Sequence, residues 1–212
     1  MNNPLFSADA VSLRGIPDWI DRLAWEDPNH SLYVVRGLDP AEVIGIVGGE
    51  QVRTLAPGEL PEDTADEWSG VVPHALEAAG GGDLLRVAGR RGDWTFVYDT
   101  FGGMDGELAK TLSKGGRAAA YVVNSISGIS RVDCAEDGSG VYELDDSYDP
   151  DYDQENVPEL LRNAIDAAMA VDLEDPDWDL GVNMRIVCAL AGLTWTYEEF
   201  RQHPLTIARY DE

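Results

Sequence analysis

Hydrophobic and polar positions change their period several times along this chain, and each change marks an element. Trp94, Phe96 and Tyr98 alternate with Thr95, Val97 and Asp99. Successive side chains on a strand point to opposite faces, so this run predicts a strand with one wholly aromatic face. Leu84 to Ala88 reads as a strand before it, with Gly89-Arg90-Arg91-Gly92 as the turn, so that 84–99 forms a hairpin. The aromatic face needs a partner layer, and Trp94 is expected to lie largely buried against helices.

The remaining periods supply that layer. Ile16-Pro17-Asp18 starts a helix in which Trp19, Ile20, Leu23 and Ala24 recur at helical spacing. Leu32 to Arg36 reads as a buried strand. Asp39 is the predicted N-cap of the next helix, Pro40 its first residue and Gly48-Gly49 its stop, with Val43, Ile44 and Val47 on one side. Residues 50–82 are broken by Pro57, Gly58 and Pro61 and predict no more than helical turns at 65–68 and 72–79. A short helix carries Leu108 and Leu112 and ends near Gly115-Gly116. Residues 117–123, 128–135 and 140–144 then read as an antiparallel meander, with Asp137-Gly138 as a hairpin turn. The last third reads as helical, over 157–171, 182–193 and 196–202. The final helix opens on Thr196 with Glu199 three residues on, a capping box.

Together these elements predict an α+β fold with a central, largely antiparallel sheet, helices packed mainly on one face and a C-terminal helical third. Residues 1–212 read as one domain, and the acidic run 145–156 is the candidate internal boundary.

Charge changes the picture most. The 212 residues hold 40 acidic and 15 basic side chains, a net charge of −25. That balance excludes general binding to phosphate backbones, which needs clustered Lys and Arg, and disfavours anionic membranes. It permits a basic protein partner with electrostatically steered association. The plain alternative is that the charge serves solubility alone. No run reaches the roughly 18 apolar residues of a membrane helix. The N-terminus has neither a basic nor an apolar signal region, so a cytoplasmic protein is expected. Cys134 and Cys188 form no C-x-x-C and read as buried free thiols.

Candidate chemistry is sparse. His30, His74 and His203 form no ligand pair and read as solvated loop histidines. Ser125 and Ser127 lack the glycine of a nucleophile elbow, and Gly102, Gly103 and Gly106 lack the lysine of a phosphate loop. Asp149, Asp151 and Asp153 have the odd spacing of a calcium loop, as do Asp175, Asp177 and Asp179. Both runs lack the turn glycine and the closing glutamate. No catalytic, cofactor or metal residues are therefore expected. Tyr148 and Tyr152 punctuate the first acidic run and Trp178 the second. Such aromatics either anchor a partner or pin the loops to the core. The candidate partner-binding residues are Tyr148, Asp149, Asp151, Tyr152 and Asp153.

Tyr33 to Val43, followed by Gly48-Gly49, resembles the opening of an uncharacterised bacterial family of unknown function. The resemblance continues through Gly92-Asp93-Trp94-Thr95, Phe101-Gly102-Gly103, Leu112 to Arg117 and Ala135 to Gly138. It covers residues 19–145, departs at Tyr98-Asp99-Thr100 and fades in the C-terminal helices. It implies no activity and carries over no catalytic residue. By analogy with small acidic bacterial proteins it suggests an immunity or defence-associated factor. The leading expectation is a non-catalytic, acidic, cytoplasmic binding protein for a basic protein partner. The alternative is a small-ligand binder or enzyme with its pocket between the sheet and the C-terminal helices.

Overall fold

The computed structural model describes residues 5–23, 29–60, 62, 85–99, 106–124, 130–145, 157–173 and 181–209. Eight strands among them form one sheet. They are β1 (His30–Arg36), β2 (Glu50–Leu55), β3 (Leu85–Arg91), β4 (Trp94–Asp99), β5 (Ala118–Asn124), β6 (Ser130–Glu136), β7 (Ser139–Asp145) and β8 (Leu205–Arg209). The order across the sheet is β2-β8-β3-β4-β1-β5-β6-β7, and every neighbouring pair is antiparallel. The helices are α1 (Asp18–Leu23), α2 (Pro40–Ile46), α3 (Glu107–Ser113), α4 (Glu159–Met169), α5 (Val182–Ala191) and α6 (Tyr197–Phe200). The fold is α+β, as the periodicity predicts.

Helices α1, α4, α5 and α6 cover one face, where Trp19, Phe96, Tyr98 and Phe200 are fully buried. The Trp19 ring stacks on Phe200 at 4.8 Å and meets the edge of Tyr98 at 5.9 Å. Helices α2 and α3 cover the other face over Tyr33, Val97 and Tyr121. A central strand covered on both sides has no polar face, which is why β1 reads Leu-Tyr-Val-Val rather than as an alternation.

Local signals hold where they are strongest. The Asp39 backbone N–H donates to Glu42 at 3.0 Å to start α2, and the reciprocal Thr196–Glu199 pair starts α6. Asp137 and Gly138 both take positive φ, at 47° and 82°, as a two-residue hairpin turn requires.

The structure corrects four finer expectations. The β3–β4 turn is Gly92-Asp93, because Arg91 pairs directly with Trp94 and the strand runs through Gly89. Trp94 is half-buried rather than largely buried, since it begins β4 beside that turn, at the rim of the helical layer. The helix expected over 157–171 is shorter, Glu159–Met169, and ends on a Met169 that is 45 % exposed. The C-terminal third closes on a strand: β8 inserts between β2 and β3, and β2 itself lies in the stretch read as broken.

Candidate functional site

The antiparallel register brings the starts of β1, β2, β3 and β6 to one end of the sheet, together with the ends of β4, β5, β7 and β8. Buried polar side chains collect there on both faces.

On the face covered by α5, His30 opens β1 opposite Asn124, the last residue of β5, and Asn124 pairs with Ser130 of β6. Asn183, in the first turn of α5, donates from Nδ2 to Ser130 Oγ at 2.8 Å, and Ser130 Oγ bonds Asn124 Oδ1 at 2.7 Å. His30 Nδ1 lies 2.7 Å from the Tyr98 hydroxyl. His30 is 1 % exposed, which overturns its reading as a solvated loop residue. Burial first, and the Arg14 guanidinium second, push its pKa down to about 4, so the ring is neutral at pH 7. Two buried atoms of this face, His30 Nε2 and Asn183 Oδ1, have no hydrogen-bond partner among the described residues. The alternation His30, Leu32, Val34 carries the signal for the burial of His30; it extends the strand period two residues ahead of the apolar run.

On the opposite face Arg86 Nε donates to Asp99 at 3.2 Å, with side chains 5 % and 0 % exposed. Arg86 also donates to the Val47 carbonyl beyond the end of α2. The pair ties β3, β4 and the α2 terminus together.

A groove of about 430 Å³ opens on that second face between α3 and the β6–β7 edge, lined by Glu107, Lys110, Arg131, Asp133, Val141 and Glu143. Arg131 chelates Asp133 at 2.8–3.0 Å and reaches Glu143 at 3.2 Å. Lys110 bonds Glu107 at 2.7 Å, and that carboxylate holds its ammonium above the ordinary lysine value. Gly106 leaves the wall open, since a Cβ there would collide with Asp133 Oδ2.

His203 also departs from expectation: it is half-buried, its ring 4.4 Å from Trp195, and burial lowers its pKa. Cys134 and Cys188 are buried free thiols, and burial pushes Cys134 up to about 12 and Cys188 higher still. Neither presents a thiolate at neutral pH. Tyr148, Asp149, Asp151, Tyr152 and Asp153 lie outside the described residues, as do Asp175, Asp177, Asp179, Trp178, His74, Ser125 and Ser127. Among the described residues no group of His, Cys, Asp and Glu could hold a metal ion, and no helix is long and apolar enough to cross a membrane.

Basic side chains lie at both ends of the sheet: Arg86, Arg131 and Arg209 at the polar end, and Arg36, Arg90, Arg91, Lys114 and Arg117 at the opposite end, in or beside its turns.

The model of a family described as a family of unknown function (DUF6461) matches residues 18–191. This is consistent with the resemblance carried by residues 19–145, and the match runs on through α4 and α5. No curated protein and no solved structure matches the chain.

Proposed function

We propose that this chain, which belongs to the DUF6461 family of unknown function, is an acidic binding protein that receives a basic protein partner. The observation that supports this most is the net charge of −25, from 40 acidic against 15 basic side chains. A one-signed field of that kind raises the encounter rate with an oppositely charged protein and falls with added salt. Binding fits this chain better than catalysis. Two groups whose titration burial shifts, His30 and Cys188, lie in the core and take no part in lining the groove. A cytoplasmic, toxin-neutralising role is the narrowest form of the proposal.

Affinity capture followed by surface plasmon resonance tests it. The captured protein is expected to be basic. Replacing Asp149, Asp151 and Asp153 with Asn should slow its association more than it speeds dissociation, and salt should shrink the difference between the two proteins. If Tyr148 and Tyr152 are anchors, truncating them raises the dissociation rate instead. An acidic partner, or association indifferent to both salt and the triple substitution, overturns the proposal.

A second reading places a small uncharged ligand between the sheet and α5. It is favoured by His30 Nε2 and Asn183 Oδ1, buried atoms on one face of the sheet that have no hydrogen-bond partner among the described residues. Such atoms are uncommon in folded proteins and are normally met by a ligand or an ordered water. Native mass spectrometry of the purified chain separates the two readings: a stoichiometric small molecule, lost in His30→Phe, supports the second.

A further inference from the structure

We propose that Arg91, Trp94 and His203 form a receptor for a small oxyanion, phosphate or carboxylate, carried on a flat ring. The site lies at the end of the sheet away from His30 and is independent of the basic partner.

Arg91 ends β3 and Trp94 begins β4, directly opposite each other. Directly opposed residues of antiparallel strands present their side chains to one face. Trp94 packs at the margin of the core under α1, α4, α5 and α6, so Arg91 emerges on that face as well. Its guanidinium lies over the Trp195 ring, 5.4 Å from the centroid. The ring of His203 lies against the same indole at 4.4 Å. Trp195 is itself buried, and meets Phe96 and Phe200 at 6.1 Å each. One fixed ring therefore sets the positions of two nitrogen-bearing side chains, one from β3 and one from the α6–β8 connection.

Arg91 is the surplus cation of this turn. Arg36 pairs with Asp93, and Arg90 with Asp39. Arg91 is exposed and pairs with no carboxylate among the described residues. The carboxylate of Glu199, which acts on His203, is bonded to the Thr196 N–H. Stacking occupies a face of the guanidinium and leaves its N–H edge to donate. That planar edge matches two oxygens of a phosphate or a carboxylate. His203 is half-buried and brings a ring nitrogen to the same indole. Burial first and Arg91 second lower its pKa, and Glu199 opposes them. An anion beside both side chains offsets the Arg91 charge and raises that pKa. Trp94 is half-buried, and the open part of its ring lies beside Arg91 for an aromatic or heterocyclic group to cover. The site suits one anion only. A chain of net charge −25 still repels a phosphate backbone.

The test is a titration of the full chain with phenyl phosphate, followed by NMR of the histidine ring protons. The chain has three histidines, and His203→Gln identifies the signal. The His203 signal is expected to move saturably and its pKa to rise. Inorganic phosphate should bind more weakly, because it leaves Trp94 uncovered. A parallel titration with benzoate separates the two sources of the oxyanion: the tighter of the ring-bearing probes is the closer match to the natural one. Arg91→Gln should weaken binding by about tenfold, as expected for losing a charge-assisted hydrogen bond. Arg91→Lys keeps the charge but not the fork and should recover only part of that loss. Arg209→Gln removes the same charge at the far end of the sheet and should leave the affinity unchanged. Four results overturn the proposal: no saturable shift with either ring-bearing probe, wild-type affinity in Arg91→Gln, an equal loss in Arg209→Gln, or inorganic phosphate binding as tightly as phenyl phosphate.

Discussion

The ring of Phe96 lies over Gly89, its direct partner on the neighbouring strand: a Cβ at position 89 would stand 2.7 Å from two ring carbons. A glycine in mid-strand usually weakens a sheet, but here it makes room for a ring that is 1 % exposed and packs against Trp19 at 5.5 Å. Gly89→Ala is therefore expected to destabilise the protein by about 1–3 kcal/mol, the usual range for overpacking a core. A urea midpoint that does not move would show that the ring can give way.

The two aromatic ends of β4 should separate in the same assay. Phe96→Ala removes a fully buried ring and is expected to cost about 3–5 kcal/mol. Trp94→Ala, at the half-buried start of the strand, should cost less than half as much. Equal losses would mean that Trp94 is covered in solution.

Arg86 and Asp99 form a buried ion pair, and removing one charge strands the other. Asp99→Ala is expected to lose about 3–5 kcal/mol, and Arg86→Met with Asp99→Leu to recover much of it, because an apolar pair needs no solvation. A double variant as unstable as the single one would locate the loss in the Arg86 bond to the Val47 carbonyl.

His30 makes stability depend on pH. Its folded pKa, about 4, lies below the unfolded value of 6.5, so the unfolded chain binds more protons between those two values. The contribution of the neutral ring is full above pH 6.5 and falls as pH drops toward 4, by about 3 kcal/mol in all. Denaturation midpoints from pH 7 to pH 4 should fall less steeply in His30→Gln than in the wild type. Parallel curves for the two proteins would remove His30 as the cause.

The sequence determined every feature whose physics acts within a few residues. Alternation at Trp94, Phe96 and Tyr98 is enough for a strand with an aromatic face. Asp39 with Glu42, and Thr196 with Glu199, are enough to start helices, and Asp137-Gly138 is enough for a tight turn, because caps and positive φ are local properties. It also set the net charge. The tertiary structure decided which distant segments meet. Leu205–Arg209 is too short to declare itself a strand, and becomes one by pairing with Glu50–Leu55 on one side and residues 85–88 on the other. His30 looks solvated beside Asn29 and Ser31, and loses its water only because the chain packs over the first residue of β1.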